Sequence, residues 1–137
     1  MDSSLPPSAM VTAAAVDHVR LSYLYLDEGN LDAFGSLLDD DVQVRHPGAP
    51  EAHGRTEVLD LMPTLTGHHE LHKVIASGDC VAAMGHFTGP AGFPYPDEHL
   101  DLDFVDVFTI SDKGLLLGKR RYYYSAPGHR LPRSCRA

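Results

Sequence analysis

The sequence has few cysteines and few basic residues, and each shortage excludes a class of protein. Its two cysteines, Cys80 and Cys135, show no CxxC spacing, so we interpret both as reduced thiols rather than as a metal or redox site. The 11 basic residues are outnumbered by 19 acidic ones, which gives a formal charge of −8. This charge repels nucleic-acid phosphates and anionic lipids. We therefore expect no nucleic-acid partner and no membrane-surface role.

Long apolar runs and repeats are also missing. No run approaches the roughly 18 apolar residues of a membrane span, and no basic segment followed by an apolar one marks a secretion signal. We expect a cytoplasmic protein. The 137 residues are most simply one domain, 1–137, with an ordered core at about 11–125 and flexible ends at 1–10 and 126–137. The basic clusters, "KRR" at 119–121 and "HRLPRSCRA" in the tail, are interpreted as solvated surface or chain end.

The periodicity of the apolar residues changes from helical to alternating along the chain. Helical spacing extends from about Val11 to Glu28, and Asn30 can cap a second short helix, "LDAFGSLL". A short strand, "VQVRHP", and a third helix, "EVLDLM", follow. Four further strands are predicted at 70–77, 80–88, 99–111 and 115–125. Helices first and consecutive strands behind them predict an α+β fold, in which helices cover one side of an antiparallel sheet.

One acid lies within an apolar row of a predicted strand, "LDFVDVFTI" at 102–110. Alternation along a strand places Asp106 on the same face as Phe104 and Phe108. A buried unpaired charge is costly, so this carboxylate must be paired, hydrogen-bonded or partly protonated. Buried carboxylates with shifted pKa values often mark functional sites. The alternative is a structural acid that is bonded to backbone amides or to a tyrosine of the neighbouring strand.

Four segments, taken in order, resemble the nuclear transport factor two-like superfamily, and within it the SnoaL-like polyketide cyclases and ketosteroid isomerase. They are "LDEGNLDAFGSLLDDDVQVRHPG", "GRTEVLDLM", "SGDCVAAMGHFTG" and "FVDVFTISDKGLLLGKRRYYY". The resemblance covers roughly residues 11–125. It implies a cone-shaped (half-barrel) curved antiparallel sheet wrapped around about three N-terminal helices, with a deep, mostly apolar pocket. It also implies a homodimer formed through the outer sheet face, on which Val105, Val107 and Thr109 lie.

The resemblance also implies catalytic residues. Asp106 falls at the position of the isomerase's pocket-facing acid, which helps to hold an oxyanion. His46 takes the place of the isomerase's proton-shuttling carboxylate, immediately before a proline, and an imidazole suits base chemistry at neutral pH. The helix-one tyrosine of the isomerase falls on Ser22, with Tyr23 one residue away. The isomerase triad is therefore not reproduced, whereas acid/base chemistry in the same pocket is retained.

Further side chains could contact the pocket or the oxyanion: His86, Tyr23, Ser22, Tyr122, Tyr124, Arg120, Phe104 and Phe108. Alternation leaves open which row of the 80–88 strand lines the pocket. It therefore leaves open whether His86 faces the pocket. At least one tyrosine of "RRYYYS" should line the pocket. In "HHELH" the middle histidine, His69, lies on the face opposite His68 and His72, so the three do not form a metal-binding face. The loop "GPAGFPYPDE" could be a lid or a stiff connection.

The leading hypothesis is a cofactor-independent acid/base enzyme that acts on a bulky, apolar carbonyl compound. Its type would be a polyketide cyclase or isomerase of secondary metabolism, with no metal or organic cofactor. One alternative is a non-catalytic module for small-ligand binding or dimerisation. Another is a dehydratase, or an epoxide hydrolase or cyclase, in which Asp106 activates or protonates an oxygen.

Overall fold

A computed structural model of the chain describes residues 9–90 and 98–124. Its elements, in chain order, are α1 (Ala9–Glu28), α2 (Leu31–Gly35), β1 (Leu38–Arg45), β2 (Ala52–His53), α3 (Gly54–Leu61), a 3-10 helix (Met62–Leu65), β3 (His68–Ser77), β4 (Cys80–Pro90), β5 (His99–Ile110) and β6 (Leu116–Tyr123). Most of the flexible ends predicted from the sequence, and most of the "GPAGFPYPDE" loop, lie outside the described residues, but Ala9 and Met10 of the predicted flexible end begin α1. Among the described helices, none has both the length and the apolar character needed to cross a membrane.

The six strands form one mixed, open sheet in the order β2-β1-β6-β5-β4-β3. The α+β prediction is confirmed, but the sheet is not purely antiparallel, because β1 runs parallel to β6. Both strands start at the same end of the sheet, where the backbone N–H of Leu116 donates to the carbonyl of Leu37 at 2.8 Å. This pairing joins residues that lie 75 to 78 positions apart, and no local sequence pattern encodes it.

Tight turns set the register of the antiparallel strands. Ser77 pairs with Cys80 across a two-residue turn in which Gly78 has φ +60°, a left-handed conformation that glycine adopts without strain. Beyond the next two connections, Asp106 of β5 lies opposite Ala83 of β4 and opposite Arg121 of β6. The register therefore brings an acidic and a cationic side chain together on the inner face of the sheet.

The predicted alternation of β5 is confirmed. Phe104, Asp106 and Phe108 are fully buried, while Val105 and Val107 on the other row are half-buried. Helix α1 covers the inner row with its own apolar side, on which Val19, Tyr23 and Leu26 are buried. Val105, Val107 and Thr109 lie on the outer face, where the predicted homodimer contact stays a prediction.

Replacing Phe108 with alanine should destabilise the protein by about 3–5 kcal/mol, since it removes a fully buried ring from the core. Thr109→Ala, one residue along the same strand and exposed, is the matched control and should change stability by less than about 0.5 kcal/mol. Urea unfolding followed by circular dichroism measures both. Equal effects of the two substitutions would contradict the assignment of the two faces.

Candidate active site

A buried ion pair forms the centre of the inner face. Arg121 holds Asp106 with two parallel hydrogen bonds, from Nε to Oδ1 and from Nη2 to Oδ2, each 2.8 Å long. The Tyr23 hydroxyl donates to Oδ2 at 2.5 Å, and the Lys119 ammonium lies 3.7 Å from the same oxygen. The Arg121 guanidinium also lies over the Phe104 ring, 4.4 Å from its centroid. Asp106 is thus fully buried but well paired.

The alternation of β6 supplies both cations. Lys119 and Arg121 point inward and are only 7 % and 3 % exposed, whereas Arg120, between them, is exposed. The interpretation of "KRR" as solvated surface was therefore wrong for two of its three residues. The signal was present in the sequence: a buried acid needs a cation, and the neighbouring strand carries this cationic run.

The network fixes the charge of its members. Burial alone would raise the pKa of Asp106, but Lys119 and Arg121 hold it well below its usual range. Burial lowers the pKa of Lys119 from its ordinary 10.5 to about 8, although Asp106 opposes this. Burial and then the negative charge of Asp106 raise the pKa of Tyr23 well above its ordinary 10. At neutral pH, Asp106 is therefore an ionised carboxylate bound by three partners, and Tyr23 is a neutral phenol.

His46 continues the inward row of β1. Val42 and Val44 are buried, and the next residue of the same parity is His46, which is 6 % exposed. Its Nε2 is buried without a hydrogen-bond partner among the described residues. Burial, reinforced by the charges of Lys119 and Arg121, lowers the pKa of His46 well below 6.5. His46 is therefore a neutral imidazole, and the position predicted from the resemblance is an inward-facing one.

A second buried histidine was missed as a candidate. His69 Nδ1 donates to Asp27 Oδ1 at 2.7 Å, and the backbone N–H of His69 donates to Asp27 Oδ2, also at 2.7 Å. The His69 side chain is 4 % exposed, and its Nε2 has no partner among the described residues. The alternation in "HHELH" had already separated His69 from His68 and His72. The opposite placement of His69, which argues against a metal site, also predicts that its ring faces inward.

The two histidines line one narrow cleft, and His46 also borders a second cleft. The first contains Asp27, His46 and His69 and leaves essentially no room for a water molecule. The second, with Arg121 and Tyr123, has about 20 Å³ of free volume. The described residues around His46 therefore form narrow clefts, and the deep apolar pocket that the resemblance implies stays a prediction. A wider, open groove of about 410 Å³ lies on the outer face, lined in part by Val107 and Tyr122.

Several side chains that were predicted to contact the pocket lie on the outer face instead. Tyr122 and Tyr124 are 47 % and 45 % exposed, and Arg120 stacks over the Tyr122 ring. These three residues share the outward row of β6, so the tyrosine that lines the inner cleft is Tyr123. The sequence could not decide between the two rows, because each carries both basic and aromatic side chains.

His86 also faces outward, where its ring nitrogens contact two carboxylates. Nδ1 donates to Asp103 at 2.7 Å, and Nε2 contacts Asp101. The hydrogen bond to Asp103, followed by that to Asp101, raises the pKa of His86. His86 consequently does not reach Asp106.

Of the remaining predicted contacts, Tyr23, Phe104 and Phe108 lie at Asp106, and Ser22 does not reach it. The hydroxyl of Ser22 donates to the carbonyl of Val19 at 2.6 Å, within α1, so Tyr23 and not Ser22 reaches Asp106. Phe104 and Phe108 flank Asp106 on its own row.

Within residues 9–90 and 98–124, no three histidine, cysteine or acidic side chains are grouped to hold a metal ion.

Comparison with known proteins gives a family and several structural neighbours. The model of the SnoaL-like domain family matches residues 19–117. No curated protein matches the chain. Among solved structures, Bal32a from a soil-derived mobile gene cassette is 21% identical, with a TM-score of 0.71 over 84% of this chain and 92% of that one. These likenesses show the fold.

Two further neighbours carry names of reactions. An LEH-like epoxide hydrolase of M. tuberculosis is 19% identical, with a TM-score of 0.68 over 82% of this chain and 84% of that one. A candidate SnoaL-like polyketide cyclase from Jannaschia sp. CCS1 is 16% identical, with a TM-score of 0.71 over 85% of this chain and 90% of that one. The same fold therefore occurs in proteins named for different reactions.

Asp106→Asn should destabilise the protein by about 3–5 kcal/mol, because it leaves Arg121 and Lys119 buried without a counter-charge. Asp103→Asn, on the outer row of the same strand, is the control and should cost at most about 1 kcal/mol. Chemical unfolding at pH 7 measures the difference. A stability of Asp106→Asn within about 1 kcal/mol of wild type would contradict the account of the network.

The stability should also depend on His46 as the pH falls. Because its folded-state pKa is depressed, the unfolded chain takes up this proton below about pH 6.5 while the folded one does not. The free energy of unfolding is then lost as the pH drops from 6.5 towards 5, by up to about 1.4 kcal/mol per pH unit for this one proton. Urea unfolding of His46→Gln should show a correspondingly weaker pH dependence.

His86→Gln supplies a control of opposite sign. The folded-state pKa of His86 is raised, so its contribution is complete below about pH 6.5 and is lost as the pH rises through the folded-state value. Removing His86 should flatten the loss of stability above pH 6.5. A pH dependence of His46→Gln identical to that of the wild type would show that His46 titrates alike in both states.

Proposed function

The chain belongs to the SnoaL-like domain family, and from this we propose that it is an acid/base enzyme that needs no cofactor and acts on an apolar carbonyl compound. The reaction would be of the polyketide cyclase or isomerase type found in secondary metabolism. One observation carries the proposal. The neutral, buried imidazole of His46 has no hydrogen-bond partner at Nε2 among the described residues, and it lies beside the Arg121 guanidinium that Asp106 anchors.

The proposed chemistry begins with removal of a carbon-bound proton next to a carbonyl group. Burial keeps the His46 ring neutral, and in the tautomer that carries its proton on Nδ1 the Nε2 lone pair can take up that proton. Negative charge then develops on the carbonyl oxygen. Arg121 and Tyr123 line the cleft beside His46, and their N–H and O–H groups are suited to stabilise that oxygen.

Asp106 has a different role in this proposal from the one that the resemblance implies. Its two oxygens already accept hydrogen bonds from Arg121 and Tyr23, and it carries no proton at neutral pH. We therefore assign it the positioning of Arg121, not a proton transfer. The same geometry speaks against a dehydratase or epoxide-opening reaction in which Asp106 itself activates or protonates an oxygen.

A non-catalytic binding module is the second candidate, and the narrowness of the clefts favours it. Met62 and Leu65 of the 3-10 helix close the cleft beside His46, so a bulky substrate enters only if this segment moves aside. A protein that merely binds a ligand would not need neutral imidazoles with free nitrogens, because such nitrogens cost free energy when buried. Turnover therefore distinguishes the two candidates.

The test is incubation with polyketone and epoxide substrates in deuterated water, with product formation and deuterium uptake followed by mass spectrometry. His46→Gln should lower kcat on a polyketone at least about 100-fold, the usual effect of losing a general base. His86→Gln, which alters a histidine on the outer face, should stay within about threefold of wild type.

Two results would count against the proposal. Unchanged turnover in His46→Gln would remove the base from the mechanism. Ligand binding without turnover of any substrate would favour the binding module instead.

A further inference from the structure

We infer that Asp27 and His69 form a second base in the cleft of His46, which removes the second of two protons that the substrate loses. The substrate would then be a dicarbonyl compound that closes a ring and afterwards loses water. This inference rests on the proposed function and deepens it. Neither Asp27 nor His69 is among the residues to which the family resemblance gives a role.

Asp27 holds His69 at two points. Its Oδ1 accepts from the ring Nδ1 and its Oδ2 from the backbone N–H, each at 2.7 Å. A carboxylate can only accept, so the ring proton lies on Nδ1 and the lone pair on Nε2. Asp27 also follows Tyr23 by one turn of α1, which places both on the same side of the helix. A single helix therefore positions the Asp106 network and the Asp27–His69 pair.

The ring of His69 is held in one orientation with its free nitrogen buried. Its centroid lies 5.1 Å from that of Tyr23, 4.9 Å from that of Phe87 and 5.5 Å from that of Phe104. Nε2 is buried and has no partner among the described residues. Since buried ring nitrogens are normally hydrogen-bonded, a purely structural histidine would have both nitrogens satisfied. One satisfied and one free nitrogen is the arrangement of a base held by a carboxylate.

The two histidines share a cleft but face different charges. Lys119 and Arg121 disfavour the protonated form of both rings, but His69 also has the Asp27 carboxylate hydrogen-bonded to its ring. Burial lowers the pKa of His69 also, with the Asp27 hydrogen bond opposing it. Both rings are therefore neutral and can each accept one proton. Two neutral bases in one cleft suit a substrate that gives up two protons in succession.

The two protons account for the formation of one water molecule. In the first step His46 takes a carbon-bound proton, the carbon attacks a second carbonyl carbon of the same molecule, and the new alkoxide takes the proton back from His46 to become a hydroxyl. In the second step His69 Nε2 takes a second proton from the same carbon. A carbon–carbon double bond forms, the carbon–oxygen bond breaks, and the hydroxide leaves with the proton from His69. The products are a cyclic enone and water, and both histidines end neutral.

The test uses 1-phenylhexane-1,5-dione, which closes to 3-hydroxy-3-phenylcyclohexanone and then loses water to give 3-phenylcyclohex-2-enone. The full chain is assayed with the dione and, separately, with the hydroxyketone. His69→Gln should form the hydroxyketone from the dione but dehydrate it at least about 100-fold more slowly than wild type. His46→Gln should shift the ratio of the two rates in the opposite direction. His72→Gln, on the same strand and facing outward, is the matched control and should dehydrate at the wild-type rate.

Asp27→Asn provides a second variant in case His69→Gln does not fold. Because the carboxylate only positions His69, this variant should lose at least about tenfold in dehydration. Its ¹⁵N ring spectrum should also lose the Nδ1–H tautomer that the wild type shows at His69. A wild-type dehydration rate in Asp27→Asn, or a wild-type spectrum with the proton on Nε2, would overturn the assignment.

The outcomes separate this inference from the proposed function. Ring closure by the wild type with no dehydration, or dehydration by His69→Gln at the wild-type rate, overturns the inference and leaves the proposed function intact. A wild-type protein that turns over neither the dione nor any substrate of the earlier test overturns both.

Discussion

The bidentate pair between Asp106 and Arg121 is the interaction on which the inner face of this protein depends. It joins the middle of β5 to the middle of β6, and through the Tyr23 hydroxyl it fixes helix α1 against both strands. Removing Asp106 would leave Arg121 and Lys119 buried without a counter-charge, which costs far more than the pair itself contributes. The network therefore specifies which row of each strand faces inward more than it adds to stability.

The charged residues around the neighbouring histidines determine their protonation and orientation. Burial, reinforced by the charges of Lys119 and Arg121, keeps His46 neutral, and Asp27 fixes the ring of His69. Asp106 and Arg121, which stay ionised at neutral pH, thus lie close to two residues that can accept a proton. Asp106 matters to the proposed reaction in the same indirect way, since it positions Arg121 and takes up no proton itself.

The sequence predicted the features that depend on local alternation. It missed those that depend on which row of a strand faces inward and on contacts between distant segments. The burial of Asp106 followed from alternation, because its row is apolar on both sides. Arg121 could not be placed in the same way, since β6 carries a cation and an aromatic on each row and only the pairing with β5 decides between them. The parallel contact of β1 with β6, which brings His46 to the site, joins distant segments and leaves no local pattern. Alternation along β3 does predict that His69 faces inward. Its carboxylate partner, however, comes from a helix residue 42 positions earlier.

The central claim is that a permanently ionised Asp106 anchors a site whose proton-accepting groups are histidines. The most direct measurement is an NMR titration of the Asp106 carboxyl carbon in the full chain, with Asp106→Asn used for assignment. We predict the chemical shift of an ionised carboxylate from neutral pH down to the onset of acid unfolding, with no titration step in the folded protein. A step above about pH 5, where an ordinary aspartic acid has already lost its proton, would show that Asp106 itself exchanges a proton and would contradict the account.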